Sequence, residues 1–474
     1  MGVPKMITDL RLRCPHSPVV GILAFEAAAA MSRLVSLHRS LAEDEVRRLR
    51  ADMRSPGVAY LTSKDQIFLL RCACAEIVGD LDLAAAAVSR LAPRCRDPLL
   101  RAFDRLYADL QGGGVFSFLI DARSAVDLDR LGLGSTAKRT EKRVRRMERY
   151  VEATSRLYVE MEALNELEAE EKRTQQQWRR HSGPILVQKP MPVPDSVRFQ
   201  LRSQEHKIRR LKEESLWNKT FDKVVELMLR AVITVFARIC SVFGVYVLGL
   251  PSSGQLKPNL PCKHSSGPLE RRVVPQHVPF LRNSAPILSA PPGIGEQETP
   301  FDRLRKFLKE SPTTVGGSGL ALRYANVILA AEKLYQERNR VAATAADPSE
   351  RDELYEMLPS GMRAAVRKKL KECWRREGAG LQAAAGDDSL AEGWKEAVEA
   401  ILEWLSPVAR DTVRWQEQRS MEREQQLCTR PRTLLLQTLH FADSDKTEAA
   451  VVEVLVGLSC MSWYEDRRRG SISD

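Results

Sequence analysis

The chain is predicted to be all-α, with two helical domains joined by a long helical hairpin and a disordered linker rich in Pro, Ser and Gly. Three observations carry that expectation. Ala and Leu dominate the apolar residues and aromatic residues make up only 6% of the sequence, which favours helices over sheets. Apolar positions recur at spacings of three and four, and no run alternates apolar with polar over more than a few residues, so no sheet is expected. Finally, Pro251–Pro300 has few large apolar residues and buries too little surface to offset its ordering entropy. At 474 residues the chain has room for two or three domains with cores of their own.

A flexible N-terminus, 1–17, precedes a compact helical domain over 18–111. Val20–Leu41 is an apolar helix, and Ser40-Leu-Ala-Glu43 has the form of a capping box for the charged helix that follows. Pro56-Gly57 breaks the chain, and Ser63 with Gln66 starts a helix through Ala84–Ala87 to about Leu91. Asp97-Pro98 supplies an N-cap and an N1 proline for Leu99–Leu110, which Gly112-Gly113-Gly114 ends. The hairpin occupies 137–250. Its first arm, Ala137–Arg180, carries Val144, Met147, Val151, Tyr158 and Met161 in a three-four rhythm, coiled-coil-like but too short and irregular for a zipper. Gly183–Pro194 makes the turn, and the return helix runs from Phe199 through Ser215-Leu-Trp-Asn218 into an amphipathic segment. After the linker, 301–466 is expected to fold as a second domain with helices Leu320–Gln336, Arg351–Leu358, Gly361–Glu377, Leu390–Leu405, Val408–Gln426, Thr433–Phe441 and Lys446–Tyr464. Ser389-Leu-Ala-Glu392 caps one of them, and Pro407 kinks or separates the pair around it. Val451–Leu458 is apolar nearly all round, which places that helix at the centre of its core. A basic tail, 467–474, follows.

Lys and Arg number 73 against 62 Asp and Glu, a net charge of +11. Such a surface suits nucleic acid, anionic lipid or an acidic partner, and composition does not choose among them. The nine cysteines are scattered without CxxC spacing and read as buried thiols of a reducing compartment. The N-terminus shows no apolar signal region, which argues against secretion. Ala231–Leu250 is apolar enough to resemble a membrane span, yet Lys223, Glu226, Arg230, Thr234, Arg238 and Ser241 form one polar stripe on a helix turning about 100° per residue. Inside a bilayer the two arginines would cost about 2.5–3.5 kcal/mol each near the centre. No transmembrane segment is therefore expected. A buried amphipathic helix is the leading reading and a membrane-surface helix the alternative.

Chemistry-bearing motifs are few. Gly316-Gly317-Ser318-Gly319 precedes a helix and offers backbone amides of the kind that hold phosphate, but Leu320-Ala321-Leu322 stands where a Walker loop needs Lys-Ser/Thr. A packing turn is the stronger reading. Cys262-x-His264 with His277 fits no zinc module, and Cys72-x-Cys74 on a helix points its thiols about 200° apart. No GxSxG, HExxH or Rossmann fingerprint is present, and the seven histidines stand alone. No catalytic, cofactor-binding or metal-ligating residue is nominated. The strongest charge cluster is Lys138, Arg139, Lys142, Arg143, Arg145 and Arg146, read either as a nuclear import signal or phosphate-contacting surface, or as the solvated face of a helix whose other side is Val144 and Met147. Arg363–Arg376 and Arg467-Arg-Arg469 are weaker clusters. Without a DNA-binding motif, nucleic-acid recognition is disfavoured. Met1-Gly2 lacks the Ser or Thr at position 6 that N-myristoylation usually needs, having Met6 instead.

The motifs together resemble a plant family built from two domains of unknown function, the PSK-simulator family and its close relatives. Gly21-Ile-Leu-Ala-Phe-Glu26 with Met31-Ser-Arg-Leu-Val35 carries the N-terminal likeness, and Ser215-Leu-Trp-Asn-Lys-Thr-Phe-Asp222 into Val242-Phe243-Gly244 the middle one. A C-terminal block carries the third: Gly319-Leu-Ala-Leu-Arg-Tyr-Ala-Asn326, Arg351-Asp-Glu-Leu-Tyr355, Leu358-Pro359, Ile401-Leu-Glu-Trp-Leu405, Arg414-Trp415-Gln416, Gln437-Thr438-Leu439, Lys446-Thr-Glu-Ala449 and Leu455-Val-Gly-Leu458. The family often has His where Arg323 stands. The resemblance implies a non-enzymatic intracellular regulator or scaffold that promotes plant growth, linked to phytosulfokine signalling, working through protein partners and placed in the nucleus. The alternative is a cytoplasmic or plasma-membrane-peripheral adaptor that binds anionic lipid through the Lys223–Leu250 helix. Trp217, Trp394, Trp404 and Trp415 serve equally as core or interface residues.

Overall fold

A computed structural model describes residues 18–111, 137–181, 195–247, 300–309, 311–340, 348–380, 388–423 and 427–472. The expectations for 1–17, Gly112–Gly114, the Gly183–Pro194 turn and the linker over 251–299 lie outside these residues. The fold is all-α. Among the described residues the only β pairings are two isolated bridges, Val19 with Thr220 and Thr314 with Asp443.

In chain order the helices are α1 (Ala24–Ser40), α2 (Glu43–Asp52), α3 (Pro56–Leu61), α4 (Gln66–Leu91), α5 (Pro98–Arg101), α6 (Phe103–Gln111), α7 (Ala137–His181), α8 (Asp195–Glu214) and α9 (Phe221–Phe243). The C-terminal half adds α10 (Pro300–Arg305), α11 (Ala321–Arg340), α12 (Pro348–Met357), α13 (Ser360–Gly380), α14 (Asp388–Arg423) and α15 (Ser444–Ile472).

Two cores organise them. In the first, α1, α4 and α9 pack together with the start of α7, through residues such as Met31, Leu34, Leu81, Phe236 and Met147. In the second, α11, α13, α14 and α15 pack through Tyr324, Ile328, Leu402, Leu405, Val451 and Leu455. A satellite cluster of Leu157, Leu164, Ile208 and Leu211 zips α7 to α8. Glu160 takes Gln204 and Lys207 there, while Thr154 lies opposite Leu216, so the two helices run antiparallel. α9 belongs to the first core rather than to a free hairpin. Its polar stripe is as expected, and the rest of its surface is buried from Phe221 to Phe243.

The cores interlock. Leu61 of α3 sits in the second core, and Gly57 lies so close to α14 that an added Cβ would meet the Trp404 carbonyl oxygen at 2.5 Å. In return Leu304, Leu434 and Leu436 of the C-terminal half are buried in the first.

Several local expectations are corrected. Ser40 does not cap α2: the N-cap is Ala42, with no side-chain bond, because the Ser40 hydroxyl donates to Ser36 O and accepts from Arg432 N. α4 is capped by Asp65, whose Oδ1 accepts from Ile67 N and Phe68 N. Asp97 caps α5 as expected, but the helix breaks at Ala102 before α6. The return arm breaks over 215–220, where Val20 N donates to Lys219 O and Gly21 N to Trp217 O; the N-terminal segment takes backbone groups that a continuous helix would use itself. α14 runs through Pro407 without ending, beginning at Asp388 rather than after a Ser389 cap. Thr433–Phe441 is not an α-helix but two short 3₁₀ turns, Leu435–Gln437 and Leu439–Phe441. The tail residues Arg467–Arg469 continue α15.

Candidate functional site

The basic run opens α7. Val144, Met147 and Val151 face the first core, so the residues between them project outward. With α1 and α9 they form an open cleft of about 1240 Å³. Lys138, Lys142, Arg145 and Arg149 come from α7, His38 from α1, and Thr234 and Arg238 from α9. Three of the six predicted basic residues therefore meet here. Arg139 and Arg146 are exposed but lie outside the cleft lining. Arg143 is half-buried and structural: its Nη2 donates to Thr140 Oγ1 at 3.1 Å and Thr234 Oγ1 at 3.4 Å. Burial, then the nearby Arg230, lowers its pKa from the usual guanidinium value.

Five cations in the lining face three carboxylates, Glu141, Glu148 and Glu152. Glu148 is already taken by Arg39 at 2.5 Å, and Glu141 by Arg145 at 2.9 Å. His38 lines the cleft, its Nε2 3.4 Å from Arg238 Nη1. Burial first, and then the charge of Arg238, hold the imidazole below its ordinary value. The Thr234 hydroxyl donates back to Arg230 O at 2.7 Å, and no thiol lines the cleft. The arrangement is suited to holding an acidic group.

A second feature joins the halves. Residues 427–443 cross the groove between α1 and α4 as a strap, irregular over 427–434 and wound into the two 3₁₀ turns after that. Ser32 Oγ donates to Cys428 O (2.8 Å) and Ser36 Oγ to Arg430 O (2.6 Å). Leu435 N donates to Glu76 Oε2 (2.7 Å) and Gln437 Nε2 to Asp52 Oδ2 (2.7 Å). Arg432 pairs with the buried Asp80. The Glu76 carboxyl lies beneath the strap, where burial and then Asp80 push it up to about 8.

Other sequence candidates resolve into structure. Gly316 N donates to His440 O, Gly317 N to Thr314 Oγ1, Ser318 N to Thr314 O and Gly319 N to Gly316 O, so the amides of that loop are already used and none is left to hold phosphate. A Cβ on Gly316 would meet the His440 ring at 2.5 Å, and Gly319 has φ +72°; both positions are there for a tight, packed turn. Cys72 and Cys74 are buried, and burial pushes the Cys72 thiol up to about 12 and that of Cys74 further still, the opposite of a reactive thiolate. Cys262, His264 and His277, like Gly2 and Met6, lie outside the described residues. Among the described residues no group of three His, Cys, Asp or Glu is placed to hold a metal. None of their helices is long and apolar enough to cross a membrane. The lipid-binding alternative loses its helix, because the apolar face of α9 is inside the core. Arg323 donates to Met357 O at 2.6 Å, a surface contact that ties α11 to the end of α12. The tryptophans are partly buried: Trp217 packs on Phe25, Trp404 on Tyr60 and Trp415 beside His440.

The regions that carried the resemblance meet in space. Gly21 bonds Trp217, Asp222 accepts from Arg96 N and Asp97 N, and Gln437–Leu439 lies in the strap. Comparison with known proteins agrees. A domain of unknown function (DUF3475) matches residues 22–77, and a protein of unknown function (DUF668) matches residues 314–414. Protein PSK SIMULATOR 1 of Arabidopsis thaliana is 26% identical over 456 residues, 93% of this chain and 55% of its own length. Over most of its length the chain is similar to the PSK SIMULATOR proteins. Protein PSK SIMULATOR 3 is 24% identical over 83% of this chain and 48% of its own length, and Protein PSK SIMULATOR 2 is 24% identical over 93% and 59%. The chain thus spans about half the length of the PSK SIMULATOR relatives it matches. No solved structure matches it. DUF3475 covers α1, α2, α3 and the first half of α4, while DUF668 covers the 314–319 turn, α11 to α13 and most of α14. The strap lies beyond both matches and ties them together.

Proposed function

We propose that this chain is a non-enzymatic regulator of growth signalling, of the kind the PSK SIMULATOR relatives are named for, and that it acts as a scaffold on which the basic cleft takes an acidic protein partner. The likeness to Protein PSK SIMULATOR 1 over 93% of the chain carries this reading. The cleft supports it: cations dominate its lining and its hydroxyls are engaged. In this view phytosulfokine-linked promotion of plant growth depends on partners brought to α7, and the strap keeps the two halves in one fixed relation. The decisive assay expresses the chain in plants and compares it with a variant in which Lys138, Lys142, Arg145 and Arg149 become Ser. Loss of the growth effect with a retained melting temperature is expected. A full growth effect in the folded variant would exclude the cleft.

We further propose a nuclear location directed by the exposed part of the basic run. α7 is anchored by Val144 and Met147, so an import receptor would read Lys138, Arg139, Lys142, Arg145 and Arg146 as a helix face. Neutralising Lys142, Arg145 and Arg146 is expected to move a tagged protein to the cytosol; an unchanged nuclear signal would rule out the run as sole determinant.

A further inference from the structure

The second core holds a cavity that the scaffold reading does not use. It measures about 240 Å³ and opens between α11, α12, α13 and α15. Its walls are mostly aliphatic, including Leu334, Leu354, Val366 and Leu458, and among the described residues no acidic side chain lines them. An apolar cavity of ~150 Å³ is enough to hold benzene, so this one has room for a single ring with a short substituent.

Its polar groups favour an anion. Tyr355 lines the cavity, and its hydroxyl is buried without a hydrogen-bond partner. An orphan of that kind costs free energy that a bound acceptor would return. Arg363 and Arg367 stand 5.5 Å from the Tyr355 ring centre, which adds positive charge around the phenol. Arg338, also in the lining, donates from Nη1 to Ser462 Oγ at 2.7 Å and so is held in place beside the cavity. Ser459 and Ser462 give their hydroxyl protons to Leu455 O and Leu458 O. Largely aliphatic walls, one buried hydroxyl lacking a partner and a fixed guanidinium are the elements of a small-molecule pocket. We infer that this cavity is a binding site for a small organic monocarboxylate with an aromatic or branched apolar body. The ring is seated against Leu354, Val366 and Leu458, and the carboxylate takes the Tyr355 hydroxyl and the charge of Arg338.

The test uses the full chain with 4-methylbenzoate as probe and its neutral amide, 4-methylbenzamide, as control, read by saturation-transfer NMR and thermal shift. Saturable binding of the acid is expected, tighter than the amide by about tenfold for a hydrogen bond to a charged group. Tyr355→Phe removes only the unpaired oxygen, so the protein should stay folded while that preference shrinks to what the Arg338 charge alone provides. Arg338→Gln should reduce acid binding without improving amide binding, and Val366→Phe should fill the cavity and abolish both. No saturable signal for the acid up to roughly 10 mM, weaker than any specific site, would overturn the inference. Binding unchanged in both Tyr355→Phe and Val366→Phe would do the same, since it would place the probe elsewhere.

Discussion

Glu76→Gln is the sharpest probe of the strap. Glu76 is partly buried in α4, and its Oε2 accepts the Leu435 amide at 2.7 Å. Burial and the neighbouring Asp80 outweigh the Leu435 N–H and the charges of Arg419 and Arg432, pushing the carboxyl from 4.5 up to about 8. Between these values the native state holds a proton that the unfolded chain has released. Stability must then fall as pH rises through that window and level off above about 8. At about 1.4 kcal/mol per tenfold change in proton affinity, the full effect would be on the order of 5 kcal/mol; solvent reaching the exposed part of Glu76 screens it, leaving about 2 kcal/mol. Gln copies the protonated acid, keeps an oxygen for Leu435 N and does not titrate. Urea denaturation followed by circular dichroism, with both proteins in the same buffers from pH 5 to 9, isolates the difference. Near pH 5 the two should be equal in stability, and the variant should gain progressively to about pH 8. A pH-independent difference would refute the reasoning. So would a wild type that gains on the variant as pH rises, which would mean a charged Glu76 stabilised by Arg432.

Other expectations follow from the same geometry. Arg432→Met leaves Asp80, only 10% exposed, without its cation, so folding stability should drop by about 3–5 kcal/mol; adding Asp80→Leu should recover most of it in the same denaturation assay. Gly316→Ala forces a Cβ against the His440 ring and should cost about 1–3 kcal/mol, while added phosphate should leave the melting temperature of either protein unchanged. For His38 the sign is opposite to that of Glu76. Its depressed pKa contributes stability that is present above about 6.5 and lost as pH falls below it. His38→Gln should therefore flatten the acid limb of the stability curve.

Where the sequence was informative, one pattern decided the structure locally. The polar stripe of α9 needed only helical periodicity, and the all-round apolar Val451–Leu458 followed from the same rule; the apolar face of α9 and the Val451–Leu458 turns are buried as expected. The strap was illegible for the complementary reason. Leu434 and Leu436 enter the first core and Leu439 the second, so a leucine-rich run that imitates a helix face serves two bodies from two short 3₁₀ turns. Ser40 looked like a cap because its true partner, Arg432 N, is 392 positions away. The site shows the same division. Val144 and Met147 revealed that the basic run is one side of a helix, but the opposite wall, with His38, Thr234 and Arg238, comes from α1 and α9. Arg143 was indistinguishable from its neighbours until Thr234 was placed against it. The Tyr355 cavity left no trace in the sequence, since each of its residues also fits an ordinary core position.

The measurement closest to the central claim is proximity labelling in growing plant tissue, from the wild-type chain and from the variant with Ser at Lys138, Lys142, Arg145 and Arg149, alongside a growth assay of the same lines. The expected result is a set of growth-signalling neighbours labelled by the wild type and lost in the variant, with the growth effect lost in parallel and the fold intact. Identical neighbours and equal growth from both would contradict a scaffold that works through its basic cleft.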